Sequence, residues 1–459
     1  MSSTNPSNLS TADRKRVRRA ALAAFVGTTI EWYDYFIFGT AAALVFGGLF
    51  FPDLSPLAGT LAAFSSFAVG FIARPIGSVV FAHFGDRIGR KPMMVWSLAL
   101  MGAATVLIGL LPTYSAIGIL APIFLVLLRF LQGLGVGGEW GAAALMAVEH
   151  APEGKRGLYG SAPAVGVPAG VLLSSGVFAI MSATTTDAQF EAWGWRIPFL
   201  LSAVLIVVAT IIRLAVEESP IFTAEVKERA QPTRVPILVL LREYPKTVAI
   251  ATGLFISANA TFYIASTWIV SYATGDIGLD QTTVLNVISL MAAIGIGQKI
   301  LFGGMSDKVG RKPLYVWGAI AFIVFAFPYF WLINTGALVW FALAVLIAET
   351  IRSVVGGPIA AIYSELFDTR VRYSGASLSY QLAAILGGGI APTICTALLA
   401  WAGSYWAVSV YIIVLNVISL VCVRLLPETY RGSLTSTPSK TGQPQEGQPQ
   451  EGQPQEGQQ

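Results

Sequence analysis

The chain has 459 residues, of which 55% are apolar and only 12% charged, with a formal net charge of +4 and a mean hydropathy of +0.68. Soluble domains carry about 25% charged residues, so this chain holds roughly half the charge that a soluble surface needs. A soluble globular protein is excluded, and the small positive surplus points to membrane topology rather than to nucleic acid.

Twelve apolar segments of spanning length follow one another, near residues 20–49, 57–81, 93–111, 118–146, 159–182, 197–215, 247–273, 284–302, 314–333, 337–361, 374–401 and 405–426. Each can cross a hydrocarbon core of about 30 Å as a helix. None alternates with the period of a strand, so the expected fold is all-α, a membrane protein of twelve transmembrane helices. Residues 1–19 form a basic tail ahead of the first segment. That segment is too long, and too interrupted by acids, for a cleaved signal peptide.

The first segment contains IEWYDYFIFG, with Glu31 and Asp34. Glu31 lies about 16 Å along a helix from Ala20, close to mid-membrane. Asp34 and Tyr35 follow at i+3 and i+4 and are expected on the same helix face. The second segment carries Arg74 in RPIG, also near mid-depth, and leads into the loop FAHFGDRIGRKP. The fourth places Arg129 equally deep, with Gln132 and Glu139 extending one polar face. Its stretch LQGLGVGGEWGAA lies inside the span without a preceding strand, so its glycines are expected to serve close helix packing rather than a nucleotide.

Residues 217–246, mixed in charge and broken by prolines, read as a cytoplasmic linker between halves at 20–216 and 247–426. Beyond it, the seventh segment carries Asn259 and Tyr263, and the tenth the i,i+3 pair Glu349 and Arg352. Lys299, in the eighth, is expected to snorkel to the inner interface. Trp32, Tyr33, Trp140, Tyr263 and Trp268 are candidate pocket liners. Cys395 and Cys422 fall inside spans, which leaves no external disulfide, and His83 and His150 sit unpaired in loops, so no metal is expected. Residues 427–459 run into GQPQE repeats, whose composition cannot bury a core; disorder is expected there.

Two features organise the whole. FAHFGDRIGRKP after the second segment recurs as FGGMSDKVGRKP after the eighth, and Glu149 with Arg156 recurs as Glu365 with Arg372. The chain is therefore read as a duplicated six-helix half, two pseudo-symmetric bundles in parallel orientation, a construction that sets binding sites between the repeats at the midplane. Basic residues gather in the N-terminal tail (Arg14, Lys15, Arg16, Arg18, Arg19) and in loops after even-numbered segments, whereas loops after odd-numbered ones hold Asp53, Asp187, Glu191, Asp276 and Asp280. By the positive-inside rule both termini are cytoplasmic.

A charge at the bilayer centre costs about 2.5 to 3.5 kcal/mol on insertion scales, so Glu31, Asp34, Arg74, Arg129, Glu349 and Arg352 are expected to face a cavity or one another. A carboxylate beside an arginine holds its proton weakly; once an incoming acid engages that arginine, the carboxylate accepts a proton. Solute binding and protonation thereby become linked. No HExxH, GxSxG, paired Cys/His set or GK[ST] phosphate loop occurs, so no catalytic residues, no ATP and no cofactor are expected.

The motifs EWYDYFIFG, RPIG leading into FAHFGDRIGRK, RFLQGLGVGGEWGAA, WGWRIPF, EESPIF and ELFDTRVRYSG, in this order, resemble those of the metabolite:H+ symporter family of the major facilitator superfamily. That family includes permeases for shikimate, citrate, 2-oxoglutarate, and proline with betaine. The resemblance covers residues 18 to 430 and implies a monomeric rocker-switch transporter of the bacterial cytoplasmic membrane, driven by protons. It implies a conformational latch at Asp86, Arg87, Gly89 and Arg90, with Asp86 near the start of the eleventh helix, repeated at Asp307, Gly310 and Arg311. Ala82 stands where the pattern usually has glycine, which Gly303 retains. The expected function is symport of a small organic acid: Arg74 and Arg129 bind its carboxylate, Glu31 and Asp34 carry protons, and Tyr35, Gln132, Asn259, Tyr263, Glu349 and Arg352 complete the site. A zwitterion such as proline or betaine, exchange of two solutes, and a non-transporting sensor are the alternatives.

Overall fold

The computed structural model describes residues 11–88, 90–137, 144, 147, 148, 151, 154–214, 240, 242–367, 372–426 and 428–430. Among these, every regular element is helical. Nine helices are long and apolar enough to cross a membrane, a tenth is bent by 41° where Asp187–Gly194 meets Arg196–Val208, and two shorter apolar helices, Val95–Leu110 and Leu120–Val136, bring the number to twelve. The helices that carry these spans are labelled α1 (Thr11–Ala41), α2 (Pro56–Ile88), α3 (Arg90–Leu110), α4 (Leu120–Val136), α5 (Arg156–Thr184), α6 (Arg196–Leu214), α7 (Pro245–Tyr263), α8 (Gln281–Val309), α9 (Arg311–Ile333), α10 (Leu338–Gly356), α11 (Arg372–Ala383) and α12 (Trp406–Leu425), and α1, α7, α10 and α11 continue into further helical turns.

Besides the bent sixth span, four spans are irregular along their length. α1 widens into a π-turn at Ala42–Phe46, α7 at Ile264–Trp268 and again at Tyr272–Asp276, and α11 at Ala384–Gly389. α10 breaks after Gly356 and resumes as Ile359–Leu366. Pro358 at that break has no N–H to continue the ladder. The π-turns in α1 and α7 occupy the first helix of each half, in keeping with a duplicated chain, and such turns re-aim side chains at functional sites.

Glycines set how closely the helices approach. A Cβ on Gly77 would lie 2.0 Å from the Leu134 carbonyl oxygen, and one on Gly133 2.1 Å from that of Gly70. Backbone therefore rests on backbone between α2 and α4, which brings the helices carrying Arg74 and Arg129 together. The glycine-rich stretch acts as packing as far as Gly137; Glu139 and Trp140 lie outside the described residues, as do most of the 217–246 linker and the tail beyond Tyr430.

The outside of the molecule is a lipid surface. Trp96, Trp193, Trp317, Trp331, Trp340, Trp401 and Trp406 are exposed, all near span ends, the level at which indole rings anchor to the headgroups. The two bundles meet along α5 and α8. Gly157 packs on Gly303 at one end, Ser175 bonds Ser289 in the middle at 2.9 Å, and Ser182 bonds Thr282 at the other end, also at 2.9 Å. A second seam joins α2 to α11, where Phe71 lies against Gly388 and Gly389.

Candidate functional site

In the N-terminal bundle the charges gather around Tyr35. The guanidinium carbons of Arg74 and Arg129 each stand 3.9 Å from its ring centre. One tyrosine ring therefore takes both guanidiniums in cation–π contact. Cation–π contact of this kind contributes up to about 2 kcal/mol when desolvated. Arg74 is 2% exposed and Arg129 is 0%. Arg129 donates to Gln132 Oε1 at 2.5 Å and, at 3.4 Å, to the Phe67 carbonyl. Glu31 is buried, within electrostatic reach of Arg74 together with Tyr380 of α11.

Asp34 departs from the expected single face. Its carboxylate turns into the bundle, accepting from Ser202 Oγ of α6 at 2.5 Å and Thr105 Oγ1 of α3 at 3.2 Å. Gln132 bridges it to the arginine side, donating to Thr105 Oγ1 at 2.8 Å and to the Asp34 backbone carbonyl at 3.1 Å. The link between Asp34 and Arg129 is thus a hydrogen-bond relay rather than an ion pair. Thr105 and Ser202 carried no signal in the sequence, because single hydroxyls in apolar helices are common.

The C-terminal bundle presents a second cluster. Arg352 Nε donates to Glu349 Oε2 at 2.7 Å, its Nη2 pairs with Oε1, and Ser353 Oγ donates to Oε1 at 3.0 Å. The guanidinium lies 4.5 Å from the centre of the Phe262 ring. Phe262 touches Phe36 of α1, with ring centres 5.3 Å apart, and Tyr263 packs on Phe71 at 5.2 Å and Phe67 at 5.6 Å. An aromatic layer therefore joins the two charge clusters across the bundle interface.

Four buried polar atoms around this layer have no hydrogen-bond partner: Arg74 Nε, Arg129 Nη2, Tyr35 Oη and Tyr263 Oη. Gly70 makes room for two of these residues, since a Cβ there would lie 2.6 Å from Arg129 Nε and 2.8 Å from Tyr35 Oη. Asn259 is not part of this group; its amide donates to the Phe255 carbonyl of its own helix at 3.4 Å, and it packs on Gly387. Among the expected liners, Trp32 sits beside Arg74, whereas Tyr33 is tied to the Pro198 carbonyl of α6 at 2.7 Å and Trp268 to Thr396 at 3.1 Å. Lys299 overturns its expectation. It does not snorkel but is buried between α8 and α10, at 4% exposure.

At one end of the α5–α8 seam, Asp307 accepts from the Gly157 and Leu158 amides, at 2.7 and 2.9 Å, in the first turn of α5. A carboxylate is favoured there by unpaired amides and the helix dipole. Arg311 pairs with Asp307 at 2.9 Å and Glu365 at 3.2 Å. Gly310 makes the α8–α9 turn at φ +104°, a conformation that side chains resist. Glu428, which follows α12, caps α9 by accepting from the Arg311 and Lys312 amides at 3.1 and 3.0 Å. Of the first-half counterpart, the backbone of Asp86, Arg87 and Arg90 is helical, but their side chains, and Gly89 altogether, lie outside the described residues.

The chain is 40% identical over 424 residues to the shikimate transporter of Escherichia coli K12, covering 92% of this chain and 97% of that one. It is 33% identical over 426 residues to the glycine betaine/proline/ectoine/pipecolic acid transporter OusA of Dickeya dadantii, covering 91% and 84%. The xylose transporter XylE of E. coli, in a partially occluded inward-open conformation, superposes with a TM-score of 0.71 at 18% identity, covering 90% of this chain and 99% of that one. Residues 24–387 match the Major Facilitator Superfamily. With twelve helices in the fold of that superfamily, two charge clusters at the centre and relatives that are transporters rather than enzymes, the chain belongs to the major facilitator superfamily.

Proposed function

We propose that this transporter imports a small organic acid together with protons by alternating access, as a monomer in a bacterial cytoplasmic membrane with both termini inside. The observation that carries this reading is the set of buried, unpartnered atoms on Arg74, Arg129, Tyr35 and Tyr263. Buried donors left unpaired cost about 1 to 3 kcal/mol each, a penalty that an arriving carboxylate relieves. Arg74 and Arg129 bind the carboxylate. Tyr35, Gln132 and Tyr263 close around it, and Glu349 and Arg352 bound the site from the other half, with Asn259 behind them.

Glu31 and Asp34 carry the protons. When the substrate takes up the Arg129 guanidinium, Gln132 is released, and the relay to Thr105 and Asp34 changes with it. Asp34 is held by hydroxyls, which turn to accept or donate as the carboxyl gains or loses its proton. Asp307, Gly310 and Arg311 latch the cytoplasmic ends together, and Asp86, Arg87, Gly89 and Arg90 form the first-half latch; each cycle opens and re-forms them. The relatives' substrates, shikimate on one side and betaine or proline on the other, share a carboxylate. An acid without a cationic group is the better fit, because two guanidiniums already crowd the Tyr35 ring and repel a substrate ammonium there.

Purified protein in proteoliposomes, under an imposed inward proton gradient, tests this with labelled shikimate, citrate, 2-oxoglutarate, proline and glycine betaine. Gradient-stimulated uptake of an acid is expected. Uptake indifferent to the gradient would remove symport, and uptake of betaine or proline alone would replace the acid by a zwitterion.

A further inference from the structure

Between α8 and α10 three charges meet, and only two of them form an ion pair. Glu349 is held by Arg352 and Ser353. Lys299 is buried beside them, within electrostatic reach of both Arg352 and Glu349. Two glycines shape this arrangement. A Cβ on Gly295 of α8 would lie 2.3 Å from Glu349 Oε1, and one on Gly356 of α10 would lie 2.4 Å from Lys299 Nζ. Each helix is notched where the other's charged group enters. Gly356 is also the last residue before the break in α10, where the negative end of the helix dipole favours a cation.

A second cation is superfluous for holding Glu349 in the paired state, and a buried surplus charge is expensive. Its value lies in another state. Arg352 stands against Phe262, in the aromatic layer shared with the other bundle, and so is the cation of the three that faces the proposed substrate. If Arg352 is drawn away, Glu349 is left as an unpaired buried carboxylate unless another cation takes its place. We infer that Lys299 is the reserve counter-ion of Glu349, taking over the carboxylate when Arg352 swings to a substrate anion. Lys299 is a positioning residue in this scheme and touches no substrate. The inference rests on the proposed role of Arg352 at the site, and it adds a partner exchange confined to one bundle.

Thermal unfolding of the purified full-length protein in detergent tests the exchange without any substrate. Lys299→Met alone is expected to shift the midpoint little, because Arg352 keeps Glu349. Arg352→Met alone is expected to be tolerated, because Lys299 takes Glu349. The double variant is expected to fall by about 5 °C or more beyond the sum of the two shifts, and adding Glu349→Gln removes that excess. Additive shifts, or an excess that persists without Glu349, overturn the inference. In proteoliposomes, Lys299→Met is expected to lower maximal shikimate uptake roughly tenfold or more with KM little changed, and Lys299→Arg to restore it. Wild-type uptake at the Lys299→Met level would likewise overturn it. A wild type that moves none of the acids defeats the proposed function instead, and the unfolding cycle still decides the role of Lys299.

Discussion

In the N-terminal bundle the Asp34 carboxylate is held by two neutral hydroxyls, Ser202 at 2.5 Å and Thr105 at 3.2 Å, whereas in the C-terminal bundle Glu349 is gripped by the Arg352 guanidinium and Ser353. Both acids are essentially buried, at 0% and 1% exposure. The difference lies in what their partners can do. A hydroxyl both donates and accepts, so it serves either protonation state; a guanidinium only donates. On the proposed reading, the first arrangement suits a carboxyl that exchanges a proton and the second a carboxylate that exchanges counter-ions. The chain places cations oppositely as well: Arg74 and Arg129 stack on Tyr35 and retain unpartnered nitrogens, while Arg352 is spent on Glu349.

The largest break in this comparison comes from Glu349→Gln. It strands the buried Arg352 and is expected to destabilise the protein by about 3 to 5 kcal/mol, measured by thermal unfolding in detergent, while the uptake that remains still follows the proton gradient. Arg129→Ala attacks the other bundle. It is expected to lower shikimate uptake by about 100-fold or more with the protein still folded; unchanged uptake would make the stacked arginine structural.

Asp34→Asn sharpens the contrast by keeping the hydroxyl partners and deleting the titration. Accumulation driven by the proton gradient, about fifty-fold per 100 mV for one proton, is expected to vanish, while exchange of labelled for unlabelled substrate persists. Accumulation that survives assigns the proton to Glu31 alone. Asp307→Asn probes a charge outside both clusters. Losing the ionised acceptor at the start of α5 is expected to cost about 1.5 to 3 kcal/mol, seen as faster labelling of a cysteine placed at Leu158. Ser202→Ala should be the mildest, with a loss of about 1 kcal/mol and coupling retained through Thr105.

The twelve spans, the duplication and the buried charges were legible because a charge or a proline stands out against a hydrocarbon background. Glu31, Arg74, Arg129, Glu349 and Arg352 were all found by that contrast, and Glu349 with Arg352 also by their i,i+3 spacing. Lys299 was misread because a lone lysine toward a span's inner end usually reaches the interface; only the Gly356 notch explains its burial. Thr105, Ser202, Phe262 and Glu428 left no trace, since each is ordinary for its surroundings until another helix is laid against it.

By itself, the sequence determined which segments enter the membrane, that they repeat as two halves, and which ionisable groups travel with them, because transfer free energy is a local sum over residues. Tertiary structure alone decided who faces whom: that Asp34 turns inward to hydroxyls, that two arginines meet at Tyr35, that Lys299 is buried. Those outcomes depend on helix rotation and approach, set by glycine contacts between segments far apart in the chain, and no local sum contains them.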